Sequence, residues 1–263
     1  MTTVDSHAHV FHRGLPLTPG RRYTPDYDAT WHDYLDVLDA HGVGKALLVQ
    51  PSFLGTDNTY LLETLRERPD RFRGVIVVDT GHPTAAAGAA PAMHDAGVRG
   101  IRLNLVGTAT TAPSGPGWDT LANRMADLGW HLEVQASGEQ WDTLAPHLRR
   151  WPSPVVIDHV GLPQGQEDPQ WKRVLDLATL PHVWIKLSGF YRSPAGAATT
   201  AARQIKDNAG VERLLWGSDW PWTRYERDRR YDQLLHEPAT VLDTPADIER
   251  VRNHNPARLL DWH

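Results

Sequence analysis

Eight short apolar runs, separated by segments with helical periodicity, constrain the fold of this chain more than any other feature. Runs such as Ala46-Leu47-Leu48-Val49 are almost continuously apolar, which is typical of parallel strands buried on both faces. Alternating β and α segments that repeat eight times predict an α/β fold, with residues 1–263 forming a single (β/α)8 TIM-type barrel domain. We place the strands at 4–10, 45–51, 73–79, 99–105, 131–136, 154–160, 183–189 and 214–220.

Glycine positions and long loops support the same architecture. Gly42 and Gly129 follow two amphipathic segments, at the place where a helix C-cap is expected. The segments 12–30, 106–117 and 190–200 follow strand ends, so we expect them to cover the catalytic face of a barrel. A doubly wound open sheet is disfavoured, because the chain lacks the glycine-rich phosphate turn of that fold.

The composition excludes several classes of function. The chain has 263 residues, a net charge of −5 and no cysteine. It has no basic block for nucleic acid, no apolar run long enough for a membrane span, and no room before the first strand for a signal peptide. Without cysteines, disulfides and thiolate metal sites are impossible. We therefore expect a cytoplasmic protein whose partner is a small molecule, and assembly into a homo-oligomer remains open.

Ionisable residues occur near the ends of three predicted strands. The first strand contains Asp5, His7 and His9, and period-two alternation predicts that all three side chains share one face. His159 ends the sixth strand and Asp219 the eighth. Active sites of barrels form at the carboxyl ends of the strands, so the sequence predicts that His7, His9, His159 and Asp219 converge. A carboxylate beside histidines is suited to act as a general base on water.

Several motifs together resemble the amidohydrolase superfamily (amidohydrolase-related family 2), in particular the lactonase branch of the 2-pyrone-4,6-dicarboxylate lactonases and the sugar-acid lactonases. Matching segments run through nearly the whole chain. They include Asp5-Ser6-His7-Ala8-His9, Arg22-Tyr23-Thr24-Pro25, Asp158-His159-Val160-Gly161, Lys186-Leu187-Ser188-Gly189 and Trp216-Gly217-Ser218-Asp219-Trp220-Pro221.

The resemblance implies a hydrolase that opens a lactone. By this resemblance Asp219 takes a proton from water and returns it to the leaving oxygen, while His7, His9 and His159 polarise the carbonyl. A metal-dependent decarboxylase of the same superfamily, acting on an aromatic or muconate-like acid, is the alternative. A barrel that only binds a small acid is a third reading, in which Asp219 would be dispensable.

Metal binding is left open by the residues at the strand ends. Relatives with two metals add a lysine or glutamate from the fourth strand and a histidine from the fifth, where this chain has Arg102 and Gln135. Arginine stays protonated and glutamine is a poor zinc ligand. We favour a site without metal. One divalent ion such as zinc, held by His7, His9 and Asp219 with help from His159 or Glu133, remains open.

Four residues are predicted to bind substrate: Arg102, Gln135, Tyr23 and Arg192. Arg102 stands on an apolar strand, where an unpaired charge is costly, and so it is expected to anchor a carboxylate. Compared with the pyrone-dicarboxylate lactonases, this chain has Leu162 in place of one arginine and Gly107-Thr108 in place of a basic pair. We therefore expect a carboxylated or polyhydroxylated lactone, with a dicarboxylate binding poorly.

Overall fold

Strands and helices alternate along the chain, of which the computed structural model describes residues 2–165 and 168–262. The strands are β1 (Val4–Ala8), β2 (Lys45–Val49), β3 (Phe72–Ile76), β4 (Val98–Asn104), β5 (His131–Gln135), β6 (Val155–Ile157), β7 (Val183–Leu187) and β8 (Leu214–Trp216). The α-helices are α1 (Trp31–Ala40), α2 (Thr59–Glu67), α3 (Pro83–Asp95), α4 (Pro116–Asp127), α5 (Gln140–Leu148), α6 (Trp171–Ala178), α7 (Ala197–Ala209), α8 (Tyr231–His236), α9 (Pro245–Glu249) and α10 (Asn255–Leu259).

All eight strands are parallel neighbours in chain order, which confirms the predicted (β/α)8 barrel. The barrel closes where the end of β1 meets the segment after β8. There the His9 amide donates to the Trp220 carbonyl over 2.7 Å, and the Asp219 amide donates to the His7 carbonyl over 2.8 Å. Barrel closure therefore joins the two segments that carry predicted catalytic residues.

Helix boundaries follow local signals in the sequence. The first helix begins after Thr30, which forms a capping box with Asp33. Gly42 and Gly129 lie just past α1 and α4 with φ of 67° and 66°, as the C-cap prediction required. No helix among the described residues combines the length and the apolar character that a membrane span needs.

All eight strands end one to four residues earlier than predicted, and in three of them the difference concerns the candidate site. His9, His159 and Asp219 lie just beyond β1, β6 and β8 rather than on them. His159 and Asp219 adopt φ of 51° and 60°, in the left-handed region. At these two positions the backbone turns out of the sheet, so their side chains are presented by the first residues of the loops.

The prediction that Asp5 shares a face with His7 and His9 is wrong. The pairing of β1 with β2 shifts register between Asp5 and Ala8, which inserts one extra residue and reverses the alternation. Asp5 instead faces the helices, where its carboxylate accepts from Tyr34 of α1 (2.8 Å) and Tyr231 of α8 (2.9 Å).

The interior of the barrel is divided into an apolar end and a charged end. Val4, Leu47 and Leu215 pack inside the barrel with residues of the C-terminal segment, including Leu260 and Trp262. A second, larger apolar cluster joins the outer faces of the strands to the helices. The ionisable side chains therefore lie at the opposite, carboxyl end of the strands, on a packed apolar base.

Candidate active site

The four predicted catalytic side chains meet at the carboxyl end of the barrel. Nε2 of His7 lies 3.3 Å from Nε2 of His9, and these two nitrogens lie 3.9 and 3.7 Å from Oδ1 of Asp219. The rings of His7 and His159 have centroids 4.8 Å apart. All four residues are at most 4% exposed. The predicted convergence is thus confirmed, whereas the roles of these residues stay predictions.

The Asp219 carboxylate has one occupied oxygen and one free oxygen. Oδ2 accepts a hydrogen bond from the Tyr191 hydroxyl over 2.7 Å and another from the Arg192 guanidinium. Oδ1 is buried without a hydrogen-bond partner and faces the histidines. Burial by itself would raise the pKa of Asp219, but the charge of Arg192 and its hydrogen bond lower it well below the usual carboxyl range. Asp219 is therefore ionised at neutral pH, with a fixed, unpartnered oxygen.

The histidines are neutral at neutral pH. Burial, with the charge of Arg102, lowers the pKa of His9 to about 3, and burial lowers the pKa of His159 to about 4. His9 Nδ1 lies 2.7 Å from the Val49 carbonyl oxygen, which can only accept, so the ring carries its proton on Nδ1 and leaves Nε2 bare.

A fully buried charge network lies next to His7, and the sequence analysis had considered only its Glu133, as a possible additional metal ligand. Lys186 pairs with Glu133 and lies 3.3 Å from Asp158, and all three side chains are 0% exposed. A signal was present: Lys186 interrupts an otherwise apolar strand, and Glu133 lies between Leu132 and Val134, each at a position where alternation points inward. Such charges are retained only when they are paired.

Two residues of this network contact Nδ1 of His7, and they favour opposite tautomers of its ring. Lys186 Nζ lies 3.0 Å from His7 Nδ1, and a paired lysine only donates, so this contact leaves the proton on Nε2. Asp158 Oδ1 lies 3.2 Å from the same Nδ1 atom and favours the opposite tautomer, with Nε2 bare. In the first tautomer His7 is a hydrogen-bond donor toward the cavity, and in the second it is a potential metal ligand.

Arg102 is not the unpaired charge that the apolar strand suggested. Its guanidinium donates to Asp158 over 3.1 Å and to Gln135 over 2.8 Å. The pairing was invisible in the sequence because Asp158 lies 56 positions away, just after β6. Arg102 nevertheless lines the cavity, so its predicted contact with substrate stays a prediction.

A cavity of about 130 Å³ opens above the histidines. Its lining includes His9, His159 and all four predicted substrate-binding residues. Tyr23 also donates its hydroxyl hydrogen to Glu226, which ties the loop after β1 to the loop after β8. The sequence analysis gave no role to two further arginines of the lining, Arg22 and Arg224, or to Tyr191.

Comparison with known proteins identifies the family. A family model described as amidohydrolase matches residues 4–262, almost the whole chain. The chain belongs to the amidohydrolase family. It is 30% identical to a 4-sulfomuconolactone hydrolase of Rhizobium radiobacter, over 97% of this chain and 88% of that protein. It also resembles the crystal structure of a probable 2-pyrone-4,6-dicarboxylic acid hydrolase from Acinetobacter baumannii with citric acid bound, with a TM-score of 0.94, 33% identity and complete coverage of both chains.

The comparisons support the decarboxylase alternative less than they support a hydrolase. The crystal structure of a 2,6-dihydroxybenzoate decarboxylase from Rhizobium aligns over 99% of both chains with a TM-score of 0.72, but the identity is 16%. That similarity concerns the fold alone. The two proteins at 30% and 33% identity are named as a 4-sulfomuconolactone hydrolase and a probable 2-pyrone-4,6-dicarboxylic acid hydrolase.

Among the residues that the structure describes, two groups could hold a metal ion in this amidohydrolase. One consists of His7, His9 and Asp219, and the other of His7, Asp158 and His159. The first fits a single ion: its ligand atoms are 3.3 to 3.9 Å apart, Asp219 Oδ1 is unpartnered, and Nε2 of His9 is bare. The Val49 carbonyl, which holds the other nitrogen of His9, is the kind of outer partner that metal-bound histidines use.

Proposed function

We propose that this chain is a hydrolase that opens the ester bond of a carboxylated lactone, with Asp219 as the base. The observation that carries the proposal is the free Oδ1 of Asp219, which is buried, ionised and directed at His7 and at His9, and His9 lines the cavity. The relatives named as hydrolases of 4-sulfomuconolactone and 2-pyrone-4,6-dicarboxylic acid support the same reaction.

Proton removal from water is the first task of the site. A water bound against Oδ1 of Asp219 gives its proton to that oxygen while the water oxygen attacks the lactone carbonyl carbon. Tyr191 and Arg192 hold Oδ2, so the carboxylate cannot rotate and Oδ1 remains available for this proton. A base fixed in this way loses little entropy on reaching the transition state.

Stabilisation of the developing oxyanion is the second task. With Lys186 on its Nδ1, His7 presents an Nε2–H group to the cavity. In the free site this group donates to the bare Nε2 of His9, 3.3 Å away, and a substrate oxygen can replace that acceptor. A preorganised donor aimed at a developing oxyanion is worth about 3 kcal/mol in the transition state. His159, whose Nδ1 is 2.9 Å from the Ser188 hydroxyl, lies on the same side of the cavity.

Collapse of the tetrahedral intermediate completes the reaction. The ring C–O bond breaks, and Asp219 returns its proton to the leaving alkoxide, which becomes the hydroxyl group of the product. The new carboxylic acid group keeps the oxygen and the second proton of the water, and it releases that proton to solvent as it ionises. One lactone and one water thus give one hydroxy acid, and Asp219 ends in its starting form.

A single divalent ion is compatible with this site but is not needed for these proton transfers. His7, His9 and Asp219 would hold it. Such an ion would polarise the carbonyl and lower the pKa of a bound water. We infer that the Lys186 contact with His7 favours the donor tautomer, and hence hydrolysis without metal. Cytoplasmic location, and any assembly into homo-oligomers, remain predictions from composition and from the resemblance.

The experiment is a hydrolysis assay of purified protein on a panel of lactones, followed by proton release. The panel contains 2-pyrone-4,6-dicarboxylate, 4-sulfomuconolactone and a neutral sugar lactone, each tested after dialysis against a chelator and again with added zinc. We expect the carboxylated lactones to open in the chelator-treated sample. Failure to open any lactone with or without metal would refute the function, and activity that appears only with zinc would refute the metal-free route.

A further inference from the structure

Positive charge is concentrated in the cavity beyond what the catalytic groups balance. Four arginines line it, and among the described residues no aspartate or glutamate does. Two of the four are neutralised by the buried site. Arg102 pairs with Asp158, and Arg192 pairs with Asp219.

The other two arginines, Arg22 and Arg224, have no such partner. Arg22 donates to the neutral Asn104 side chain over 3.2 Å, and neither guanidinium has a carboxylate within 4.0 Å in the part of the chain that the structure describes. Partial burial and the charges of Arg224, Arg102 and Arg192 lower the pKa of Arg22. Glu226 lies nearby, and its Oε1 accepts hydrogen bonds from Tyr23, Tyr27 and the Arg224 amide rather than from either guanidinium.

Arg22 reaches the cavity beside Gly107, which lies in the loop after β4. A Cβ atom built on Gly107 would lie 2.9 Å from Cδ of Arg22, and the φ of Gly107 is 72°. The glycine therefore makes room for a guanidinium that arrives from the loop after β1. Leu162, which follows β6, lines the same cavity and adds no charge to it.

We propose that Arg22 and Arg224 bind a second anionic group of the substrate, so that this enzyme selects dianionic lactones over monoanionic ones. The inference rests on the proposed lactone hydrolysis and replaces the expectation that a dicarboxylate binds poorly. The second anion, a carboxylate or a sulfonate, lies at the mouth of the cavity between the loops that follow β1 and β8. The reacting carbonyl lies below it, at His7 and Asp219.

Equilibrium binding tests the anion site without requiring turnover. The probes are isophthalate, a planar ring with two carboxylates, and benzoate, which has one, measured by calorimetry. The variants are Arg22→Met and Arg224→Met. Matched controls are Arg21→Met and Arg227→Met, in the same two loops but outside the cavity lining. Arg22→Lys keeps the charge and checks that the loop still folds.

We expect wild-type protein to bind isophthalate at least about tenfold more tightly than benzoate. Each of Arg22→Met and Arg224→Met should weaken isophthalate binding about 5- to 50-fold, between the effect of an exposed ion pair and that of a charge-assisted hydrogen bond. Benzoate binding should change by less than about threefold, and Arg22→Lys should restore most of the preference. Equal binding of the two probes to wild type, or an equal loss in Arg21→Met, would overturn the proposal.

Kinetics then separate this proposal from the proposed function. With lactones, Arg22→Met should raise KM for 2-pyrone-4,6-dicarboxylate about 5- to 50-fold and leave kcat unchanged, because Arg22 does not touch Asp219 or the histidines. If no lactone is opened but the isophthalate preference depends on Arg22 and Arg224, the anion site stands and the lactonase fails. If lactones are opened while KM is insensitive to both arginines, the anion site fails and the lactonase stands.

Discussion

Removing the charge of the Lys186 side chain tests how much the buried charge network contributes to the stability of the barrel. Lys186 is 0% exposed and lies within 3.3 Å of Asp158, and it also pairs with Glu133 and contacts His7. Lys186→Met keeps most of the volume but leaves two buried carboxylates with Arg102 as their remaining cation. Breaking a buried ion pair by removing one partner costs about 3–5 kcal/mol, because the other charge stays buried and unpaired.

For a domain of this size, 1 kcal/mol corresponds to about 2–4 °C in Tm, so Lys186→Met should lower Tm by about 6–20 °C. The assay is thermal and urea unfolding followed by circular dichroism and by fluorescence of the 11 tryptophans. Lys172→Met is the matched control, because Lys172 is 74% exposed and pairs with Asp176 of its own helix. It should shift Tm by less than about 2 °C.

A double variant distinguishes lost pairing from lost packing. Lys186→Met combined with Glu133→Gln removes one cation and one anion, so the network remains balanced by Arg102 and Asp158. The double variant should be more stable than the sum of the two single losses predicts, by about 1–3 kcal/mol. Additive losses, or a Lys186→Met protein as stable as wild type, would refute the view that these charges hold one another in the barrel.

Two further predictions follow from the contacts of the site. Tyr191→Phe removes one of the two hydrogen bonds to Oδ2 of Asp219 and should lower kcat about tenfold with little change in KM; an unchanged kcat would show that Arg192 alone orients the base. Burial depresses the pKa of His9 to about 3 and that of His159 to about 4, so below pH 6.5 the unfolded chain takes up protons that the folded chain excludes. Stability should therefore fall as the pH drops from about 6.5 to 4, by up to about 1.4 kcal/mol per pH unit for each histidine, in urea unfolding with chelator present. A flat profile over this range, or one in which the double substitution of both histidines by Asn changes nothing, would contradict the buried neutral assignment.

The fold was predictable because its signal is repeated eight times. Each strand is a short apolar run, and an error of two or three residues at one boundary leaves the order of elements unchanged. The convergence of His7, His9, His159 and Asp219 followed from that order, since parallel strands end on one face of a barrel.

Other features could not be predicted, because they depend on contacts between distant segments. The register shift in β1 turns Asp5 outward without any change in composition. Arg102 finds its partner only when β4 and β6 are brought together inside the barrel. Arg22 and Arg224 reach the cavity from loops, where no periodicity reports the direction of a side chain.

The measurement that tests the central claim most directly is the turnover of Asp219→Asn on the lactone that wild-type protein opens fastest. Asparagine keeps the shape of the side chain and can still accept from Tyr191 and Arg192, but it cannot take a proton from water. Loss of a general base costs about 10²–10⁴-fold in rate. We predict a fall of that size in kcat, with affinity for the ring-opened hydroxy acid no weaker than in wild type. An Asp219→Asn protein that keeps most of its turnover would contradict Asp219 as the base of this hydrolase.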